Sequence, residues 1–242
     1  KITFAAPYVQ YHKLKTSAVE NGVSLRYETT VGAALPILES IARSVNSGDD
    51  IARVDAVLSG TLNYIFSTYK GGEDGKTFAD VVRQAQEAGY SEPDPRLDLS
   101  GRDVLRKLLI LSREACAAID EADVEIDPIL GPEFFSGKVP AFYEMLAANE
   151  SSFAAAYRTA ADKGLRQRFV ASLVAVPEEG GVHYKASMGL QCVGPENPLF
   201  NLCGTDNAAL IKTAFYPSPL VVQGAGAGAY QTASGVLNDI LL

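Results

Sequence analysis

Cysteine is sparse in this chain and histidine sparser. The three cysteines, Cys116, Cys192 and Cys203, are odd in number and far apart, which excludes a disulfide framework and points to reduced thiols. The two histidines, His12 and His183, have no companion at catalytic or metal-ligand spacing, so both are read as structural or solvent-facing. No apolar run reaches about 18 residues, which rules out a membrane-spanning helix, and no secretory signal is visible. These absences predict a cytoplasmic protein. Basic residues are outnumbered 29 to 21, a formal charge of −8 with the acids dispersed. That balance argues against nucleic acid or an anionic membrane as partner. Also missing is a strand followed by G-x-G-x-x-G with a charged residue about 20 positions later, the fingerprint of a dinucleotide-binding fold.

What is present is an ordinary apolar share, 47% of 242 residues, enough to bury one sizeable core. Residues 7–20 read as an amphipathic helix stopped by Asn21-Gly22, and residues 23–31 as a strand. Gly32-Ala33-Ala34 is a small-residue turn before a helical pattern over 35–45. A second strand over 51–58 leads to Ser59-Gly60-Thr61, which starts a helix with Leu62, Ile65 and Phe66 inward. The helix over 78–88 ends at Gly89, whose missing Cβ suits a C-terminal cap and equally lets a ligand approach the backbone. Residues 126–135 look irregular, 140–163 helical and polar, and 166–176 with 182–193 form a hairpin. A strand over 208–216 and a short apolar approach over 220–223 lead to Gly224, Gly226 and Gly228, which open a last helix to Leu242. The order predicts an α/β or α+β fold, helices on one face of a mixed sheet.

Charge is densest between Gly89 and Lys107. Glu92, Asp94, Asp98 and Asp103 stand there among Arg96, Arg102, Arg106 and Lys107. Glu92 and Asp94 each precede a proline, which disfavours the α region and stiffens the loop. Ser100 as N-cap with Asp103 three residues on reads as a helix start. The following Val104, Leu105, Leu108, Leu109, Ile110 and Leu111 mark a core helix with a narrow polar strip of Asp103, Arg106, Lys107 and Arg113. Asp103 and Lys107 are four apart, on one face, in the favourable acid-before-base order. They make either a surface ion pair of about 0.3–0.5 kcal/mol or a catalytic pair, with a charged amine able to donate a proton to a developing alkoxide.

Family likeness adds to this. Gly89-Tyr90-Ser91-Glu92-Pro93-Asp94-Pro95-Arg96, with Asp98-Leu99-Ser100-Gly101 and Asp103, Val104, Arg106 and Lys107, resembles the signature of homoserine dehydrogenase. Further matches are Tyr27-Glu28-Thr29-Thr30-Val31-Gly32-Ala33-Ala34-Leu35-Pro36, Leu58-Ser59-Gly60-Thr61-Leu62-Asn63-Tyr64-Ile65-Phe66, and Val222-Gln223-Gly224-Ala225-Gly226-Ala227-Gly228-Ala229. They run through nearly the whole chain in the family's order.

The resemblance implies NAD(P)-dependent interconversion of L-aspartate 4-semialdehyde and L-homoserine, on the route to threonine and methionine. Lys107 would be the proton donor, Asp103 would orient it and bind substrate, and Glu92 would bind the amino-acid end. Gly89 and Gly228 would lie against NADP or NAD, joined by Lys1, which aligns with a lysine at the end of the nucleotide-binding domain. A monovalent cation, sodium, would be held by Glu28 and the carbonyls of Val31, Ala33 and Leu35. The family has glycine where Ala34 stands, so a positive φ there would be costly. The sheet's second face would pair two copies as a homodimer. Residues 1–242 would thus be a catalytic and dimerisation domain, with the dinucleotide-binding domain, and in bifunctional relatives an aspartate kinase, upstream. The other reading is a non-catalytic regulatory or dimerisation domain that binds an amino acid.

Overall fold

The computed structural model describes residues 8–179 and 181–241. In chain order they form α1 (Tyr8–Glu20), α2 (Ile37–Asn46), β1 (Ile51–Val57), α3 (Gly60–Thr68), α4 (Phe78–Glu87), α5 (Arg96–Leu99) and α6 (Arg102–Glu114). Then follow β2 (Val124–Ile126), α7 (Val139–Ala148), α8 (Glu150–Ala161), β3 (Arg166–Glu178), β4 (Gly181–Val193), β5 (Asp206–Thr213), β6 (Leu220–Ala225) and α9 (Ala229–Leu241). The strands make one six-stranded sheet in the order β2-β4-β3-β1-β5-β6. Only the β2–β4 pairing is parallel, so the sheet is mixed as predicted.

Register explains its two faces. Val54 of β1 pairs with Leu173 and Ile211, and these join Ala56, Ala171, Ala186, Met188 and Ala209 in the main core beneath the helices. One step along, Asp55 pairs with Ser172 and Leu210 on the opposite face, since successive side chains alternate. There Ser172 donates to Asp55 Oδ1 at 2.7 Å, and Arg53 Nε donates to Asp55 Oδ2 at 2.6 Å. Helices therefore cover one face, and the other carries a polar network with a small apolar cluster of Val57, Val170, Leu199, Leu202, Ala208 and Leu210. Among the described residues no helix is long and apolar enough to cross a membrane.

Several elements depart from the sequence reading. The strand read over 23–31 does not form: residues 23–27 join no strand among the described residues, and Glu28–Thr30 form a 3-10 turn. Its alternation instead lays Tyr27 inward, where the hydroxyl donates to Glu114, a carboxylate that also accepts from Tyr11 of α1. The helical stretch over 140–163 is two helices. Asn149 caps the first, its side-chain amide and its backbone N–H both donating to the Met145 carbonyl. Gly224 belongs to β6 rather than to the last helix, which starts at Ala229. The strand read as 208–216 is β5, displaced towards the N-terminus. The short strand β2 left no alternation to read.

Candidate active site

Helix α6 presents the pair that the motif singled out. It starts one residue later than Ser100 predicts: the N-cap is Gly101, at φ 69°. A Cβ there would lie 3.2 Å from both Met188 and Phe169, so glycine is demanded by conformation and by space. Ser100 still helps, its hydroxyl accepting from Arg102 N at 3.3 Å. The polar strip is not uniformly wet. Arg106 is exposed, but Lys107 and Arg113 are buried at 8% and 2% exposure.

Lys107 is therefore no ordinary surface lysine. Its Nζ lies 3.1 Å from Asp103 Oδ2 and donates to the Leu58 carbonyl at 2.5 Å. Asp103 keeps its side chain half exposed. A buried ammonium is costly unless paired and hydrogen-bonded; here a carboxylate and a main-chain oxygen supply both. The pair thus has an amine inside the protein and an acid at its rim, which suits proton donation to a bound oxygen.

Leu58 connects this helix to the rest of the site. It follows β1 and precedes the start of α3, where Ser59 accepts from Leu62 N at 3.2 Å as N-cap. Two residues on, Thr61 donates to the Tyr90 carbonyl at 2.5 Å, and the Tyr64 and Tyr90 rings pack 5.0 Å apart. The acidic loop is thereby fastened to the residues that anchor Lys107. Gly89, at φ 73°, closes α4: its N–H donates to the Gln86 carbonyl, and that of Tyr90 to Ala85. Those two bonds are a Schellman cap. Among the described residues, its chain neighbours aside, no atom lies within 4 Å of a Cβ built on Gly89, so the cap leaves space beside the backbone, and the two readings of this glycine are compatible.

Asp98 holds the loop in shape. Its Oδ2 accepts from Glu92 N at 2.9 Å and from the Ser91 hydroxyl at 3.0 Å. Asp94 pairs with Arg96 at 2.6 Å, and this guanidinium holds the Asp94 carboxyl below its usual range. Glu92 itself is exposed at the loop's surface. Of these three acids, Asp94 and Asp98 have work within the fold, and Glu92 is the one turned outward.

Glu28 has a second, separate role. Both carboxylate oxygens accept N–H groups at the start of α2, from Leu38 at 2.9 Å and Glu39 at 2.8 Å. Burial nevertheless pushes its carboxyl up to about 7. The turn behind it has Gly32 and Ala33 at positive φ, 76° and 54°. The strain expected at Ala34 thus sits one residue earlier, at Ala33. Gly235 of α9 packs on this turn, where a Cβ would come within 2.4 Å of Thr29. Among the described residues no cluster of three His, Cys, Asp or Glu could hold a metal, so any ion at Glu28 would depend on main-chain carbonyls.

Sequence reasoning left out Leu58, Thr61, Asp98 and Asn207 as site residues. Thr61 and Leu58 stand in a quoted motif, but a carbonyl ligand leaves no side-chain trace. Asn207, on β5, had no signal at all. Its Nδ2 donates to the same Leu58 carbonyl at 3.3 Å. His12 and His183 are exposed and far in sequence from these segments, and all three cysteines are free and exposed. Lys1 lies outside the described residues.

A mixed sheet with a buried amine paired to a rim carboxylate on its helical side, beside a stiff acidic loop, defines an α/β protein equipped for acid–base chemistry. The family model for homoserine dehydrogenase matches residues 36–241. The bifunctional aspartokinase/homoserine dehydrogenase 2 of Zea mays is 38% identical over 98% of this chain and 25% of its own length. The homoserine dehydrogenase of Schizosaccharomyces pombe is 37% identical over 100% of this chain and 64% of its own. Among solved structures, a Candida auris protein of unknown function superposes with a TM-score of 0.89 at 34% identity, over 99% of this chain and 66% of that one. A hyperthermophilic archaeal homoserine dehydrogenase in complex with NADPH gives 0.68 at 26% identity, over 97% and 60%. The chain belongs to the homoserine dehydrogenase family. It spans a quarter to about two thirds of the length of these relatives, and a purely regulatory domain is not the favoured reading.

Proposed function

We propose that these residues form the catalytic and dimerisation region of a homoserine dehydrogenase, interconverting L-aspartate 4-semialdehyde and L-homoserine for threonine and methionine synthesis. The observation that carries this is the buried Lys107 ammonium, fixed between Asp103 and the Leu58 carbonyl. In the reducing direction Lys107 protonates the aldehyde oxygen as charge develops on it, and the neutral amine is re-protonated from water. Asp103, at the rim, orients the ammonium and accepts a hydrogen bond from the substrate. Glu92, turned outward on the loop that Asp98 braces, binds the substrate's ammonium group. NADPH or NADH supplies the hydride when bound. Gly89 and Gly228, with Lys1, would hold the nicotinamide end, and the open space beside Gly89 fits a flat ring. The dinucleotide fingerprint is not in this sequence, so most nucleotide contacts would come from a separate dinucleotide-binding domain.

The turn after Glu28 suits a monovalent cation such as sodium. A half-buried carboxylate with raised pKa favours added positive charge, each of its oxygens keeps acceptor capacity beyond the bond to α2, and the carbonyls of Val31, Ala33 and Leu35 are hard oxygen ligands.

The direct test is turnover of L-aspartate 4-semialdehyde by the natural protein, followed by NADPH oxidation, with a Glu92→Gln variant alongside. Glu92→Gln should raise KM for the semialdehyde by about tenfold or more, the loss of a hydrogen bond to a charged group. An unchanged KM would remove Glu92 from the site.

A further inference from the structure

Asn207 is a polar side chain only 1% exposed. Its position in the sheet is unusual. Asn207 stands at the start of β5, beside β1 on one side, where the adjacent pair is Val57 with Ala208, and directly opposite Gly224 of β6 on the other. Leu58, which follows Val57, holds Lys107. Gly224 begins the glycine run that ends at Gly228. One residue thus stands between the anchor of the proton donor and the strand that delivers the glycine loop.

Its side chain makes both connections. The Nδ2 donates to the Leu58 carbonyl at 3.3 Å, the same oxygen that accepts from Lys107 Nζ at 2.5 Å. On its other side, a Cβ built on Gly226 would lie 2.1 Å from both Cγ and Nδ2 of Asn207. Gly226 is therefore glycine because the Asn207 amide occupies the space above it. The orientation of the amide is dictated by chemistry: the opposite one would set two acceptor oxygens against each other. That choice leaves Oδ1 buried with no partner among the described residues, an expense that a merely structural position would shed by becoming apolar.

Resting on the function proposed above, we infer that Asn207 is a positioning residue. It fixes the Leu58 carbonyl, and through it the Lys107 ammonium, relative to the Gly224–Gly228 loop. Proton donor and cofactor loop are held in one register by a single amide. A carbonyl with two donors is directed by both, so losing the Nδ2 donor lets the oxygen and the ammonium drift. Displacements of about 1 Å at such a site cost up to about 10²-fold in rate.

The test uses the full-length natural protein carrying Asn207→Ala, Asn207→Asp or Gly226→Ala. Asn207→Ala should lower kcat by about 10- to 100-fold while KM for the semialdehyde changes little. Gly226→Ala leaves every donor atom in place and pushes the amide aside, so it should reproduce the loss of kcat. Asn207→Asp sets a carboxylate facing the Leu58 oxygen and close to the ammonium, which favours the charged amine. The alkaline limb of the kcat–pH profile should then move to higher pH. A structural role alone would lower thermal stability and leave that limb where it is. Should Asn207→Ala fail to fold, the other two variants decide. Folded variants with unchanged kcat and an unchanged alkaline limb would overturn the inference. If Lys107→Ala abolishes turnover while these variants do not, only this inference has failed. If Lys107→Ala turns over normally, the function proposed for Lys107 has failed first.

Discussion

At the scale of single residues, the surprise is where the charges lie. Lys107 and Arg113 look like part of a wet strip in the sequence, and both are buried, because α6 packs against α2, β3 and β4. Type and spacing located the Asp103–Lys107 pair; its burial was invisible, since it depends on the Leu58 carbonyl from a segment 49 residues away. Asn207 was unreadable for the same reason. Glu28 was legible through its motif, but its bonds to the start of α2 were not. Burial outweighs those bonds and raises its carboxyl to about 7, so above that pH the native state holds a half-buried, under-compensated charge. A bound cation would offset it. Thermal unfolding of the natural protein at pH 8 should therefore move to higher temperature when sodium replaces a bulky organic cation at constant ionic strength, and Glu28→Gln should erase the difference. Equal responses in the two proteins would dismiss this site.

Elements were read best where local chemistry decides them. The helix read over 78–88 on the strength of Gly89 runs Phe78–Glu87, and the structure adds the local device at its start, a capping box of Thr77 and Asp80. Extended segments fared worse: residues 23–27 have a strand's alternation but no strand beside them among the described residues, and a strand exists only through its partner. The capping box gives an element-scale prediction. The Thr77 hydroxyl bonded to Asp80 holds that carboxyl below its usual value. A group lowered on folding contributes stability above its unfolded pKa and loses it as pH falls through the folded one. Thr77→Ala should cost about 0.5–2 kcal/mol at pH 7. The gap between variant and parent should narrow below about pH 4, measured by denaturant unfolding. A gap independent of pH would mean the box contributes through the threonine alone.

For the molecule as a whole, the mixed sheet and its one helical face were legible, because apolar alternation reports which side of a strand is buried. What the open face meets was not. Arg53, Asp55, Ser172 and Ser187 share it, and the family likeness makes it the candidate dimer surface. In an isologous interface every substitution enters the contact twice, so Ser187→Arg, which adds bulk and charge on both sides, should shift the protein towards monomer in sedimentation velocity; an unchanged distribution would put the contact elsewhere. The account stands or falls on the amine at its centre. Its most direct test is steady-state kinetics of Lys107→Ala in the full-length protein. The expectation is a fall in kcat of about 10²–10⁴-fold, the usual worth of general acid catalysis, with KM for the semialdehyde altered far less. A kcat within a few-fold of the parent would contradict it.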